Sequence, residues 1–326
     1  MNNTFTTYQN LIEKEIGNIA FGGGPIELYE PLSYMMHLGG KRFRPVLVLM
    51  AHELFGGNKP EDAIYPAIGM EVFHNFTLIH DDIMDNALLR RGKPTVHTKW
   101  GQTVAILSGD VMLVKAYHFI SMVRPEILPE VLQLFNETAC RVCEGQQLDM
   151  NFEQKADVSI DEYVGMIGLK TAELLAGCLK MGAIIANAPM EEADRLYDFG
   201  YLLGTAFQVQ DDLLDAFGNA DTFGKNIGGD ILANKKTWLT LKSKELAGTK
   251  DAAELDILYS SQLLPAEEKI ARVMEIYHRA GVKKLTEEAR DGFYHQALEC
   301  LEAINLPEDK KQPLKRLAGE LIVRVK

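Results

Sequence analysis

Apolar residues recur at three- and four-residue spacing along nearly the whole chain, and strict apolar–polar alternation over five or more residues is hard to find. That period belongs to helices with one buried stripe, so an all-α fold is predicted. Punctuation at Gly22-Gly23-Gly24-Pro25, Gly39-Gly40, Gly56-Gly57-Asn58, Arg91 to Pro94 and Gly218 to Gly229 divides the chain. About ten to thirteen helices are expected from these breaks. Pro60 with Glu61 and Asp62 reads as a helix start, and Ser159 with Glu162 as a capping box. The stretches 61–86 and 190–217 are each expected to run about 25 residues, or roughly 40 Å.

The 326 residues carry no low-complexity linker and no repeat period, so a single domain over 1–326 is expected, formed of long helices. Lys plus Arg is 34 and Asp plus Glu 46, a net charge of −12 that disfavours nucleic acid and anionic membranes as partners. The longest purely apolar run is Val46 to Ala51, too short to span a bilayer. The start lacks a signal-peptide pattern and the end a prenylation signal, so a cytoplasmic protein is expected. Of four cysteines only Cys140 and Cys143 lie close together, and without a second pair they read as small buried thiols in a helix.

Two segments resemble each other at a distance: His80-Asp81-Asp82-Ile83-Met84-Asp85 and Gln210-Asp211-Asp212-Leu213-Leu214-Asp215. Both are DDxxD at the end of a long apolar helix. With 19 aspartates in the chain, chance supplies only ~0.06 copies of such a motif. The outer aspartates fall at i and i+4 on one face, where like charges repel by a few tenths of a kcal/mol. A hard divalent cation offsets that repulsion, and Mg²⁺ takes one or two carboxylates while keeping sites for water and phosphate oxygens. The alternative, a solvated helix end, fits poorly with the apolar neighbours Leu78, Ile79, Ile83 and Met84. No twelve-residue calcium loop is present.

A second anion would need direct cations, and the chain groups them. Gly39-Gly40-Lys41-Arg42-Phe43-Arg44-Pro45 sets three cations beside a glycine pair, and Arg90-Arg91-Gly92-Lys93-Pro94 follows the first DDxxD. Arginine forks bind phosphate oxygens in pairs, and lysine acts as a point charge. Lys170-Thr171, Lys225 and Lys235 are weaker signals taken singly. His74 lies two helical turns before Asp81, on its face. HExxH, GxSxG, Walker A and GxGxxG patterns in a credible context are missing, which argues against zinc hydrolases, serine hydrolases, P-loop proteins and dinucleotide binders.

Taken in order, GGKRFRP, His74, HDDIMD, RRGKPTVH, Lys170-Thr171, FQVQDDLLD, Gly224-Lys225 and Asn234-Lys235 resemble the trans-isoprenyl diphosphate synthases over about residues 39–240. The resemblance implies an all-α isoprenoid synthase fold around a deep central cavity, usually a homodimer, with both aspartate motifs at the cavity mouth. It implies that Asp81, Asp82, Asp85, Asp211, Asp212 and Asp215 hold Mg²⁺, three ions per site, on an allylic diphosphate. Arg90, Lys170, Thr171, Gln208, Lys225 and Lys235 would contact that diphosphate or the transition state. Lys41, Arg44, His74 and Arg91 would receive isopentenyl diphosphate, with His74 standing where some members carry Gln. Gln146 matches a glutamine near the reacting carbons. The implied reaction ionises the allylic diphosphate, couples the cation to the double bond of isopentenyl diphosphate and loses a proton to the released pyrophosphate.

Phe76 lies five residues before Asp81 and Phe73 one turn further back, either able to floor a cavity, while Thr77 and His74 share the aspartate face more closely. An aromatic residue at that fifth position, followed by small Thr77, resembles the short-chain synthases, so geranylgeranyl diphosphate with some farnesyl diphosphate is the expected product. A longer-chain synthase and a non-catalytic partner subunit are the rival readings. A terpene cyclase is disfavoured by Asp211 to Asp215 and by the Lys41 to Arg44 group.

Overall fold

The computed structural model describes residues 3–155, 157–218, 227–260 and 264–322. Among them the chain is all-α, apart from one hairpin of two-residue strands, β1 (Leu89–Arg90) and β2 (Lys93–Pro94). Sixteen α-helices are described, more than the spacing of glycines and prolines suggests. Short helices such as Val96–Trp100 and Gly229–Leu232 sit inside stretches that read as loops, and the last third divides at Gly281 and near Pro307.

The residues form two compact units, Met1–Asn136 with Cys178–Asp194, and Glu137–Gly177 with Arg195–Lys326. In chain order the helices are α1 (Asn3–Asn18), α2 (Ile26–His37), α3 (Phe43–Leu54), α4 (Glu61–Met84), α5 (Val96–Trp100), α6 (Gln102–Ile120), α7 (Leu128–Gln154) and α8 (Ile160–Ile167). Then follow α9 (Glu173–Ile185), α10 (Met190–Phe217), α11 (Gly229–Leu232), α12 (Trp238–Leu246), α13 (Thr249–Ser260), α14 (Ala266–Ala280), α15 (Val282–Glu302) and α16 (Glu308–Ile322).

The first unit is built on α4. Glu61 and Asp62 in its first turn complement the positive end of the helix dipole. The helix stops where Asn86 turns to the left-handed region at φ 50°, so Asp81 and Asp82 lie in its last turn and Asp85 caps it. α4 packs against α6 closely enough that a Cβ on Gly69 would stand 2.5 Å from Ile120 Cγ1. By length and composition α6 could cross a membrane; Ser108, Asp110, Lys115 and His118 divide it, so no uninterrupted apolar run marks it in the sequence. Its apolarity serves the contact with α4, while Ile106, Leu107 and Val114 remain exposed on its outer side.

In the second unit, Leu213 and Ala216 of α10 join a buried cluster with Ile231, Leu239, Val273 and Tyr277. Val209 joins another, with Phe152, Tyr163, Met166, Trp238 and Leu241. Each such Leu, Ile, Val, Phe or Met side chain contributes about 1.5–3 kcal/mol on full burial, which anchors the helix end that carries Asp211 to Asp215. The expected capping box at α8 is present, with Glu162 N donating to Ser159 Oγ and Ser159 N to Glu162 Oε2. Cys140 and Cys143 are exposed on α7 rather than buried, because the polar side of that helix carries them; Cys178 is buried.

Candidate active site

Both aspartate motifs end long helices, where the helix dipole is negative and acidic side chains are disfavoured by about 0.3–1 kcal/mol each. In the first unit the compensation is a neighbouring cation. After Asn86 the chain makes a hairpin whose two-residue loop, Arg91-Gly92, has φ of 53° and 72°, the signature of a primed turn that matches strand twist. This returns Arg90 to α4, where Nη2 lies 2.7 Å and Nε 2.9 Å from the two carboxylate oxygens of buried Asp82, and Nη2 lies 3.8 Å from Asp81. Thr95 fastens the hairpin base, donating from Oγ1 to Ala87 O at 2.8 Å.

The two basic groups, distant in sequence, meet in this unit. Arg91 lies against Gly40, φ 145°, where a Cβ would stand 2.8 Å from its Nη1. Arg44, on the first turn of α3, places Nη1 3.0 Å from His74 Nε2, and its Nε is buried with no hydrogen-bond partner. Guanidinium nitrogens only donate, so His74 Nε2 accepts and the ring is neutral with its proton on Nδ1. Burial, then the charges of Arg44, Arg91, Arg90 and Arg42, push His74 well below its ordinary 6.5. Lys41 stands exposed beside this group. Arg42 departs from the sequence reading: it is buried at φ 49° and fully engaged within the protein. It donates to Glu13 at 2.8 Å, to Glu71 at 2.9 Å and to Met36 O, which ties α1, α4 and α2 together rather than presenting a free cation. Sequence spacing alone could not separate Arg42 from its neighbours, nor single out Glu71, the buried carboxylate facing Arg42, Arg44 and Arg91.

In the second unit a single π-turn, Gly168–Ala172, interrupts the passage from α8 to α9 and carries Lys170 and Thr171. Lys170 Nζ pairs with Asp149 Oδ2 of α7 at 2.5 Å. Thr171 Oγ1 donates to Gln208 Oε1 at 3.0 Å, and Gln208 Nε2 donates to Asp212 Oδ1 at 3.3 Å. Asp212 is buried and also accepts from Tyr163 Oη and the Trp238 backbone N–H. Burial, reinforced by the charge of Asp230, pushes its carboxyl up to about 8 despite those hydrogen bonds. Asp211 and Asp215 are half-buried, and Asp215 Oδ2 accepts from Asp230 N at 3.0 Å. Lys235 Nζ lies 3.9 Å from Asp230 Oδ1. Gln146 is half-buried on α7 beside Gly145, which abuts the Lys170 backbone. Lys225 falls outside the described residues.

Behind the first motif Phe76 and Phe73 are both buried with ring centroids 5.7 Å apart; Phe76 also meets His80 at 4.8 Å and Phe73 meets Phe135 at 5.2 Å. Thr77 is half-buried and its hydroxyl donates to His74 O at 2.8 Å. Asp149, Tyr163, Glu71 and Asp230 were not singled out from sequence. Their signal is a partner 21 to 49 residues away for the first two, and no local pattern announces such a contact.

The donor set is hard oxygen throughout. Among the described residues no three His, Cys, Asp or Glu side chains form a ready-made metal cage. The carboxylate oxygens of the two motifs are the donors a hard cation such as Mg²⁺ takes, through one or two carboxylates with water and phosphate oxygens completing its shell.

An all-α protein with carboxylate-rich helix ends and a half-buried arginine–histidine group is equipped to handle diphosphates. The family model for polyprenyl synthetase matches residues 25–277. A short chain isoprenyl diphosphate synthase of Methanothermobacter thermautotrophicus is 36% identical over 97% of this chain and 96% of its own. A crystal structure of a geranylgeranyl pyrophosphate synthase, 42% identical, superposes with a TM-score of 0.94 over 99% of both chains. The geranylgeranyl pyrophosphate synthetase of Pyrococcus horikoshii, 34% identical, reaches 0.91 over 98% of both. The chain belongs to the polyprenyl synthetase family and is a trans-prenyltransferase.

Proposed function

We propose that this enzyme condenses isopentenyl diphosphate head-to-tail with an allylic diphosphate, giving short-chain all-trans products, chiefly geranylgeranyl diphosphate with farnesyl diphosphate as intermediate or co-product. The observation that carries this reading is the separation of two anion-handling chemistries within the first unit. Asp81, Asp82 and Asp85 offer oxygen ligands, whereas Arg44, Arg91 and His74 offer only donors and a neutral ring. A single-substrate diphosphate enzyme has no use for the second group. The names of the relatives, short chain isoprenyl and geranylgeranyl diphosphate synthases, support the product class.

In this reading Asp81, Asp82, Asp85, Asp211, Asp212 and Asp215 bind the allylic diphosphate through three Mg²⁺, which supply charge stabilisation to the departing pyrophosphate when bound. Arg90 and Lys170, with Thr171, Gln208, Lys225 and Lys235, add direct donors to that leaving group. Arg44, Arg91, Lys41 and His74 hold isopentenyl diphosphate, whose anion replaces the missing partner of Arg44 Nε. Orientation of its double bond towards the cation contributes much of the rate. Gln146 lies near the reacting carbons. Phe76, backed by Phe73, limits the growing tail, and the chain forms one polyprenyl synthetase domain over 1–326, for which the family match over residues 25–277 is the support. The exposed apolar face of α6 suits a homodimer, and four free thiols suit the reducing cytoplasm.

Incubation of purified protein with labelled isopentenyl diphosphate and each allylic starter, followed by chromatography of the dephosphorylated products, tests the reading. C20 should dominate, and Phe76→Ala should lengthen the product. Release of mainly C30 or longer chains by the unaltered enzyme would overturn the chain-length assignment, and no turnover without another subunit would overturn the catalytic one.

A further inference from the structure

The π-turn Gly168–Ala172 is held by α7 and α10 through contacts unrelated to the charges it presents. A Cβ on Gly145 of α7 would stand 2.3 Å from Lys170 N, and one on Gly204 of α10 would stand 2.6 Å from Ala172 Cα. A Cβ on Gly168 itself would stand 2.0 Å from the Tyr201 hydroxyl. The turn closes through Glu173 N–H donating to Gly168 O, five residues back. Immediately at that closure Glu173 is buried, 1% exposed. Its carboxylate accepts from Tyr197 Oη of α10 at 2.6 Å and from Arg141 Nη1 of α7 at 3.3 Å, and Arg141 Nη1 also donates to Tyr197 Oη at 2.9 Å.

A π-turn holds one residue more than the α-helix it interrupts. Relaxation to regular α geometry would rotate the residues on one side by about 100° and move Lys170 and Thr171 off their present directions. Within the turn's own surroundings, Lys170 reaches Asp149 and Thr171 reaches Gln208 only in the observed register. Burial of an ionisable carboxyl is costly unless hydrogen-bonded, so Glu173 has its lowest energy where Tyr197 and Arg141 can both reach it. Burial raises the Glu173 carboxyl, while Tyr197 and Arg141 favour its charged form.

We infer that Glu173, Tyr197 and Arg141 are positioning residues that lock the register of the π-turn and thereby aim Lys170 and Thr171. The Glu173–Tyr197, Glu173–Arg141 and Arg141–Tyr197 hydrogen bonds run among the three themselves and not to Lys170 or Thr171. The inference rests on the assignment of Lys170 to the allylic diphosphate. Tyr197→Phe keeps the ring and removes both hydroxyl hydrogen bonds; Glu173→Gln keeps one acceptor for Tyr197 but sets an amide NH₂ against Arg141 and loses that ion pair. Misplacing a catalytic group by an ångström can cost ~100-fold, so Tyr197→Phe should lower kcat about 10-fold or more and raise the allylic KM. The KM for isopentenyl diphosphate should stay within about twofold. Amide hydrogen exchange over residues 168–173 should quicken, and Glu173→Gln, which keeps the Tyr197 hydrogen bond but not the Arg141 pair, should lower kcat in the same direction but less than Tyr197→Phe.

Lys170→Ala serves as the reference. If Lys170→Ala leaves the allylic kinetics unchanged, the assignment of Lys170 fails and this inference with it. If Lys170→Ala is impaired while Tyr197→Phe matches the unaltered enzyme in kcat and allylic KM, the register lock alone is wrong. Equal rises in both KM values with a lowered unfolding temperature would likewise overturn it, since that pattern belongs to general loosening.

Discussion

The two aspartate motifs have the same spelling and occupy the same place, the C-terminal end of a long helix, yet the protein handles their middle carboxylates in opposite ways. Asp82 is buried against the Arg90 fork, which the chain returns to it eight residues later through a primed hairpin turn. Asp212 is buried against hydroxyl, amide and backbone donors, and its carboxyl is pushed up to about 8. One negative charge is matched by a positive one; the other is suppressed. Like charges at i and i+4 at the negative end of a dipole need some compensation, and the sequence motif does not say which.

The largest expected effect is common to both motifs and would break the comparison if it appeared in only one. Asp81→Ala and Asp211→Ala should each lower turnover by several orders of magnitude in Mg²⁺ with the fold preserved, as circular dichroism would report. Near-normal turnover of either variant removes that motif from the reaction.

Arg44→Ala comes next and concerns only the first unit. It should raise the KM for isopentenyl diphosphate at least ~10-fold with little change in the allylic KM, as expected for a charge-assisted contact to one substrate. The reverse pattern in steady-state kinetics would exchange the two sites.

The difference between the motifs themselves should appear in stability. Arg90→Leu leaves the Asp82 carboxylate, 2% exposed, without its cation and should cost about 3 kcal/mol or more. Tyr163→Phe removes one of several donors to Asp212 and should cost about 1 kcal/mol. Urea unfolding of the metal-free proteins measures both, and equal losses would mean the two carboxylates are held alike.

The smallest effect is the pH dependence, which should carry opposite signs in the two units. His74 is held well below 6.5 in the folded protein, so its contribution to stability is present above about 6.5 and lost as the pH falls below that value. Asp212 has a folded pKa of about 8 against an ordinary 3.8, so its contribution is fully present below 3.8 and lost as the pH rises through about 8. Thermal unfolding of the metal-free protein across pH 5 to ~8.5 should show both limbs. His74→Gln should flatten only the acid limb and Asp212→Asn only the alkaline one.

Several features were legible in the sequence because their physics is local. Helical spacing implied the all-α fold, and 61–86 and 190–217 emerge as α4 and α10 almost residue for residue. The Ser159 cap, the repeated DDxxD and the grouping of Arg44 and Arg91 near glycines are also patterns of neighbours. The aromatic pair Phe73 and Phe76 is one turn apart and is found in contact. Other features had no local signature. Cys140 and Cys143 were placed on the wrong side of their helix because a three-residue spacing is compatible with either face. Arg42 shares a four-residue segment with Lys41 and Arg44, but its left-handed backbone turns it inward.

The amino-acid sequence by itself therefore determined which elements form and which charges they carry, since period, caps and motif spacing act within a few residues of the chain. Only the tertiary structure decided what each charge does. Asp149 became the partner of Lys170 across 21 residues, Tyr163 that of Asp212 across 49, and Glu173 that of Tyr197 across 24. Burial and the identity of the facing side chain decide whether a carboxylate is paired, neutral or open to a cation. Those quantities exist only once helices distant in sequence have packed.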